Sequence, residues 1–203
     1  MFKKKKDQTY QSYWSISWNI FKKNKVAMVC LFIVILLCLI ALFAPLIAPY
    51  DPNKQVLTDR LMKPCGQHCF GTDDLGRDIF SRIIYGCRVS LSVGIISQII
   101  ATVIGYTMGV CAGYFGGKVD SVISFLIQVF SSFPFLLFAM AIMFVLGPGL
   151  INLYLALGLL GWASTARLIR GDVMRLKKME YIDACKVSGG NSFRIIMKHL
   201  LPN

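Results

Sequence analysis

Long apolar stretches are the main feature of this 203-residue chain. Three of them contain no Asp, Glu, Lys or Arg: residues 26–50, 89–117 and 121–166. A helix needs roughly 20 apolar residues to cross a hydrocarbon core about 30 Å thick. The first two stretches are each long enough for one span, and the third is long enough for two, with Gly147-Pro148-Gly149 at the turn. The pattern predicts an all-α polytopic membrane protein with about four spans.

The apolar stretches and the polar segments between them divide the chain into five regions. In chain order these are a tail at residues 1–25, a first transmembrane helix at 26–48, an outer loop with an amphipathic lead-in helix at 49–88, a core of three spans at 89–170, and a loop at 171–203.

The sequence before the second span predicts the lead-in helix. Thr72 or Asp73 can cap its first turn. Asp78 and Arg82 stand at i,i+4, in the order that favours an ion pair along a helix. The apolar face would carry four residues at intervals of four, Leu75, Ile79, Ile83 and Cys87.

Small residues and a proline mark special positions inside the predicted spans. Glycines recur at intervals of four in the second span, at Gly105, Gly109 and Gly113. This spacing lets helix backbones approach closely, so we expect a neighbouring helix to pack there. Pro134 lies inside the third span, where it removes a backbone hydrogen bond and predicts a kink.

The net charge of +12 is concentrated towards the two ends of the sequence. Residues 1–25 carry +6 and residues 167–203 carry +5, whereas residues 50–88 carry only +1. With four spans both basic segments lie on the same side of the membrane, and the positive-inside rule places that side in the cytoplasm. Because the charge flanks apolar spans and does not cover a soluble fold, we expect contact with the lipid bilayer and no nucleic acid.

Aromatic residues accompany the lysines of the tail. They recur at spacings of three to four residues, at Tyr10, Tyr13, Trp14, Trp18 and Phe21. The spacing suits a short amphipathic helix on the inner leaflet. An aromatic belt ahead of the first span is the alternative interpretation.

The chain offers no set of residues typical of an enzyme. Its two histidines, His68 and His199, fall on opposite sides of the predicted membrane, and the sequence lacks a phosphate-binding glycine loop with its lysine. We therefore expect no catalytic residues and no cofactor. Cys65 and Cys69 flank His68 in the outer loop, where they would be free thiols, a disulfide or part of a metal site. A metal site needs more ligands than these, so no metal is predicted.

The segment after the fourth span predicts two helices joined by a sharp turn. Gly189-Gly190 can end the first helix, and Asn191 or Ser192 can cap the second. Pro202 would end the second helix. A hairpin that is basic on one face and apolar on another is typical of a docking element. A helix pair lying on the lipid surface is the alternative.

Several motifs occur in order along the chain. One runs from Tyr181 to Gly189 and is followed by Leu201-Pro202. Another consists of Gly71, Thr72, Asp73, Gly76, Arg77, Asp78, Ser81, Arg82, Gly86 and Arg88. Together they resemble the C-type inner-membrane permease subunit of the dipeptide, oligopeptide and nickel ATP-binding-cassette importers, and the first motif resembles the EAA loop of that family.

This resemblance implies a permease subunit of a peptide importer in the bacterial cell membrane, with nickel as the alternative solute. A B-type permease would complete the path, two cytoplasmic ATPase subunits would hydrolyse ATP, and an extracytoplasmic binding protein would deliver the solute. Asp183 would pair with a basic ATPase residue. The loop that docks on the ATPase would comprise Tyr181, Asp183, Ala184, Cys185, Gly189, Leu201 and Pro202.

The sequence departs from the family pattern at several positions. Cys185 replaces the second Ala of the EAA motif, and Ser188 replaces a usual Leu. In the third span Phe125 and Gln128 stand where the family usually has Arg and Asp. Family members continue beyond the equivalent of Asn203 into two more spans. A truncated, non-transporting membrane interaction protein is therefore the alternative to an importer subunit.

Overall fold

The computed structural model describes residues 13–201, and every regular element in that range is helical. In chain order the helices are α1 (Tyr13–Lys23), α2 (Lys25–Leu42), α3 (Ala44–Ile47), a short 3₁₀ turn (Leu57–Asp59), α4 (Ile79–Phe115), α5 (Gly117–Ser132), α6 (Phe135–Leu146), α7 (Leu150–Leu176), α8 (Glu180–Val187), α9 (Ser192–Ile195) and a π-helical turn (Ile196–Leu200). The predicted all-α class is confirmed.

The helices α2 and α4 are each long and apolar enough to cross a membrane. The pair α5 and α6 meets the same criterion as one unit, although its two halves are bent by 91°. Two or three candidate spans in the described residues therefore meet this criterion of length and apolar composition. The expected fourth span lies in α7, where Asn152, Arg167 and the polar pair Ser164-Thr165 reduce the apolar character of the helix.

The helix predicted to begin at Thr72 or Asp73 begins only at Ile79, so the predicted lead-in helix is wrong in its first two turns. A tight loop precedes it, closed by an antiparallel bridge between Thr72 and Asp78. The Asp73 carboxylate accepts hydrogen bonds from nearby backbone amides, and this competes with helix formation. Gly76, at φ +72°, also departs from helical geometry.

Pro134 separates α5 from α6 and does more than kink a continuous helix. The preceding residue, Phe133, is extended, with ψ 139°. A proline disfavours the helical region for the residue before it, and this ends α5. Pro134 then stands at the N-cap of α6, where its missing N–H costs nothing.

The chain forms two compact units, one up to Leu91 and the other from Ser92 onward. In the first unit, α1 is the helix expected in the tail, although Tyr10 lies outside the described residues. Asn24 separates α1 from α2 and caps α2 through its side chain, which accepts from the Ala27 amide at 3.2 Å.

In the second unit, α7 is the central helix, and α5 and α6 both pack against it. Trp162 of α7 is buried and contacts the Phe130 ring edge-on, with centroids 5.3 Å apart. The core joins residues of α4, α5 and α7: Ala112, Ile123, Ile127, Trp162, Ala163 and Ala166.

Candidate functional site

A helical hairpin, residues 180–201, is attached to the second unit through its apolar side. Ile182 of α8 and Ile195 of α9 are 0% and 1% exposed. Together with Leu200 they pack against Val110 of α4 and Val173 of α7. The hairpin therefore forms a continuous core with two long helices, and it is not a loose loop.

The turn of the hairpin needs three adjacent residues for three different reasons. Gly189 has φ +77°, a conformation that favours glycine. A Cβ on Gly190 would lie 2.7 Å from the Cys185 carbonyl oxygen, so this position requires close backbone approach. The Asn191 side chain accepts from the Phe193 amide at 3.4 Å and caps α9. The predicted turn and cap are both present, and Gly190, not Gly189, is the glycine in close contact.

The outward side of the hairpin combines exposed apolar groups with a charge pair. Val187 is 90% exposed and Phe193 is 70% exposed. Asp183 and Lys186 form an ion pair at 2.8 Å, with both side chains open to solvent. Tyr181, Ala184 and Leu201 are also exposed, whereas Pro202 lies outside the described residues.

Cys185 is half-buried and contacts a second functional group that sequence spacing did not reveal. Its Sγ atom lies 3.4 Å from Nε2 of His199. The two residues are 14 positions apart, so only the turn of the hairpin brings them together.

The glycines of α4 form the contact with α7. A Cβ on Gly109 would lie 2.7 Å from the Ala166 carbonyl oxygen. Similar contacts of 2.8 and 2.9 Å would arise at Gly105 and Gly113. Because glycine carries only a hydrogen atom in place of a side chain, the two helix backbones can come into contact at these positions.

Two further interactions connect α7 to the start of α5 and to the end of α4, and the sequence alone did not indicate them. Arg170 of α7 donates through Nη2 to Oδ2 of Asp120 at 2.7 Å, and its Nε donates to Oδ1 of the same carboxylate. Lys177 donates to the carbonyl oxygen of Tyr114 at the end of α4 and lies over the ring of that residue. A lone acid at position 120, between long uncharged stretches, was the signal available in the sequence.

In the first unit, Asp73 is the centre of a hydrogen-bond network in the loop before α4. Its Oδ1 accepts from the Leu75 and Arg77 amides at 2.9 Å, and its Oδ2 accepts from Nε of Arg77 at 2.8 Å and from Arg82. Burial alone would raise the pKa of Asp73. The amide and guanidinium donors outweigh that effect and lower the pKa to about 2.

Helical spacing predicted a pair between Asp78 and Arg82, but it does not form. The Asp78 carboxylate is bound to His68 and to the Ser81 amide. Arg82 binds Asp73 instead. Asp78 is buried, and its Oδ1 lies within hydrogen-bonding distance of Nδ1 of His68, at 2.9 Å. Its other oxygen accepts from the Ser81 amide at 2.8 Å. Burial acts to raise the pKa of Asp78, but the bonds from Ser81 and His68 lower it below its usual value. The Ser81 hydroxyl accepts from the Tyr50 amide at 3.2 Å, which ties the end of the first apolar segment to this loop.

The other predicted loop residues divide into structural and exposed positions. Gly71 is buried at φ +76°, and a Cβ there would lie 2.3 Å from the Met62 carbonyl oxygen. Thr72 accepts from the Met62 amide at 2.9 Å and donates to the Asp59 carbonyl. Gly86 and Arg88 lie exposed on α4. Cys65 and Cys69 are free and exposed in this structure, and the disulfide that the sequence left open stays a prediction.

Comparisons with known proteins assign the chain to a family. The profile described as "binding-protein-dependent transport system inner membrane component" matches residues 101–203, half of the chain. The chain belongs to this family. A second profile, described as the "N-terminal TM domain of oligopeptide transport permease C", matches residues 12–64. Such inner membrane components are parts of transport systems and not enzymes.

Curated relatives of this permease family align along nearly the whole chain. The dipeptide transport system permease protein of Bacillus subtilis strain 168 is 43% identical over 95% of this chain and 60% of the relative. The oligopeptide transport system permease protein of the same strain is 37% identical over 95% of this chain and 63% of the relative. The glutathione transport system permease protein of Pectobacterium atrosepticum is 37% identical over 97% of this chain and 66% of the relative. The chain thus spans less than two thirds of the length of these relatives.

Proposed function

We propose that this chain acts as a permease subunit of an ATP-binding-cassette importer for short peptides. The helical hairpin is the observation that carries the proposal, since it is buried on one side and presents exposed apolar groups and a charge pair on the other. The substrate class rests on the relatives, which are named for dipeptides, oligopeptides and glutathione. All three substrates contain peptide bonds.

The outward side of the hairpin suits docking on a cytoplasmic ATPase subunit. The apolar side chains of Val187 and Phe193 are exposed to water. Burial of these side chains against a partner would be favourable. A short amphipathic helix such as α8 can insert into a groove of the partner. On docking, Asp183 would leave its ion pair with Lys186 and form one with a basic residue of the ATPase. The present pair is exposed and contributes little to stability, so its loss costs little.

The inner side of the hairpin would transmit movement of the ATPase to the membrane helices. Ile182 and Ile195 are fully buried against α4 and α7, and close-packed interiors move as units. When ATP binding closes the ATPase pair, the hairpin would carry α4 and α7 with it, and the path would change from one open side to the other. A second permease subunit would complete that path, and a binding protein would deliver the peptide.

Co-purification of the ATPase subunits tests the docking role. We expect Asp183→Arg to reduce the recovered ATPase at least about tenfold, since like charges placed at an interface cost several kcal/mol. Asp172→Arg is the matched control, because Asp172 forms a similar exposed i,i+3 pair with Arg175 outside the hairpin. Equal recovery of the ATPase with both variants would contradict docking through the hairpin.

Uptake measurements test the substrate class. Cells in which this chain supplies the C-type position should take up labelled dipeptide in an ATP-dependent manner, and Asp183→Arg should abolish that uptake. Uptake of nickel without peptide would support the alternative solute. Assembly with the ATPase in the absence of any uptake would favour a non-transporting interaction protein.

A further inference from the structure

Cys185 and His199 form a thiol–imidazole contact inside the helical hairpin, and the proposed docking does not use it. Cys185 Sγ and His199 Nε2 lie 3.4 Å apart, and both side chains are half-buried. The Tyr181 ring lies 6.4 Å from the His199 ring, centroid to centroid. Cys185 also packs at the edge of the buried core that holds the hairpin. The packing of the hairpin therefore keeps the sulfur and the imidazole nitrogen close together.

A pocket of about 300 Å³ opens onto this pair. Its volume is at the lower end of the range for sites that bind small molecules. Arg194 also lines the pocket and gives it a positive charge. The remaining lining residues are Ala184, Ser188, Gly190 and Ile195. A small anionic molecule can thus reach the sulfur although Cys185 itself is only partly exposed.

We propose that Cys185 is a reactive thiol that exchanges with small disulfides bearing a carboxylate. The thiolate is the nucleophile in such exchange, and a neutral imidazole nitrogen can take the thiol proton. The Cys185 sulfur then attacks one sulfur of the disulfide, a new S–S bond forms, and the old S–S bond breaks. The second half of the reagent leaves with the electron pair as a thiolate and takes up the proton held by His199. Arg194 would hold the carboxylate of the incoming molecule.

Modification of Cys185 would also change the hairpin. An added group must share the space between α8 and α9, where the Gly190 amide donates to the Cys185 carbonyl at 2.9 Å. We expect the adduct to separate the two helices and to weaken docking of the ATPase. This consequence rests on the proposed function, whereas the reactivity of the thiol does not.

The test labels the whole chain, purified in detergent, with dithionitrobenzoate, a disulfide that carries carboxylates. Mass mapping then gives the rate of modification at each cysteine. Cys69 is the internal reference, because it is free and exposed. We expect Cys185 to react at least about tenfold faster than Cys69, less than the roughly 100-fold or more that a positioned base contributes, because Cys185 is only partly exposed. An equal or slower rate at Cys185 would overturn the proposal.

A second variant separates base assistance from simple access. His199→Gln retains a hydrogen-bonding side chain but cannot take a proton at neutral pH. We expect it to slow modification of Cys185 at least about tenfold, since loss of a positioned base typically costs roughly 100-fold or more. The rate at Cys111, in the core of the same unit, serves as a check on packing. An unchanged or faster rate at Cys185 in this variant would refute assistance by His199. ATPase recovery, measured separately before and after labelling, reports on the docking consequence alone.

Discussion

The Arg170 guanidinium of α7 holds the carboxylate of Asp120, in the first turn of α5, through two nitrogen atoms. Bidentate pairs of this kind fix geometry as well as charge. Both side chains are mostly buried, at 30% and 21% exposure. The pair therefore fixes the start of α5 to the helix on which the helical hairpin is built.

Removal of this pair should loosen the second unit. We expect Arg170→Gln and Asp120→Asn each to lower the free energy of unfolding by about 1.5–3 kcal/mol, the range for hydrogen bonds to charged groups. Thermal unfolding in detergent would measure the loss. The double variant should cost less than the sum of the two single variants, because both changes remove the same interaction. Strict additivity would show that the two residues act independently.

Glycine substitutions should separate close helix contact from helix propensity. Gly109→Ala places a Cβ 2.7 Å from a backbone carbonyl of α7 and should destabilise the unit by about 1–3 kcal/mol. Gly94 lies on the same helix with nothing within 4 Å of its Cβ position. Gly94→Ala should therefore stabilise the protein by about 0.5–1 kcal/mol through helix propensity. Opposite signs in thermal unfolding are expected, and two equal shifts would contradict the helix contact.

The loop around Asp73 should open in acid. Because the pKa of Asp73 is lowered from 3.8 to about 2, its ionised form stabilises the folded loop. That contribution is complete above about pH 4 and is lost as the pH falls towards 2. Asp78 acts in the same direction, since its pKa is also lowered.

Limited proteolysis with pepsin, an acid-active protease, would detect this opening. Cleavage between residues 59 and 78 should rise steeply as the pH falls from 4 to 2, a window set by the pKa of Asp73. Asp73→Asn should already be cleaved at pH 4 and should show little further change. Asp74→Asn, a change at the exposed neighbouring residue, is the control and should resemble the unmodified chain. Identical profiles for the two variants would rule out a special role for Asp73.

The two sides of the helical hairpin should respond to different measurements. Ile182→Ala removes a fully buried side chain and should cost about 2–5 kcal/mol of stability. Val187→Ala changes a residue that is 90% exposed, so stability should be nearly unchanged while ATPase recovery falls. A stability loss with Val187→Ala as large as that with Ile182→Ala would contradict the assignment of inner and outer sides.

Features that depend on local sequence were the predictable ones. The turn of the hairpin follows from Gly189-Gly190 and a capping Asn191, because these residue types have strong conformational preferences. The spacing of the α4 glycines likewise indicated a close helix contact, although the spacing could not name α7 as the partner helix. Uncharged length alone did not register the polar residues that α7 carries within its apolar part, and these keep it below the criterion of apolar composition that α2 and α4 meet.

Features that arise from competing hydrogen bonds, or from contacts between residues far apart in the sequence, were not predicted. The Asp73 carboxylate satisfies the amides of Leu75 and Arg77, so a segment with helical spacing became a loop. Asp120 and Arg170 are 50 residues apart, and no pattern in the sequence links them. The contact of Cys185 with His199 has the same origin, since it exists only once the turn has folded.

The touching backbones of α4 and α7 have a mechanical consequence. Helices separated by long side chains can slide as rotamers adjust, but Gly105, Gly109 and Gly113 leave no side chain to adjust. This helix pair should therefore move as one rigid body during any conformational change. Bending within the second unit should then occur at the junction of α5 and α6. There Phe133 and Pro134 interrupt the helix, and the chain turns through 91°.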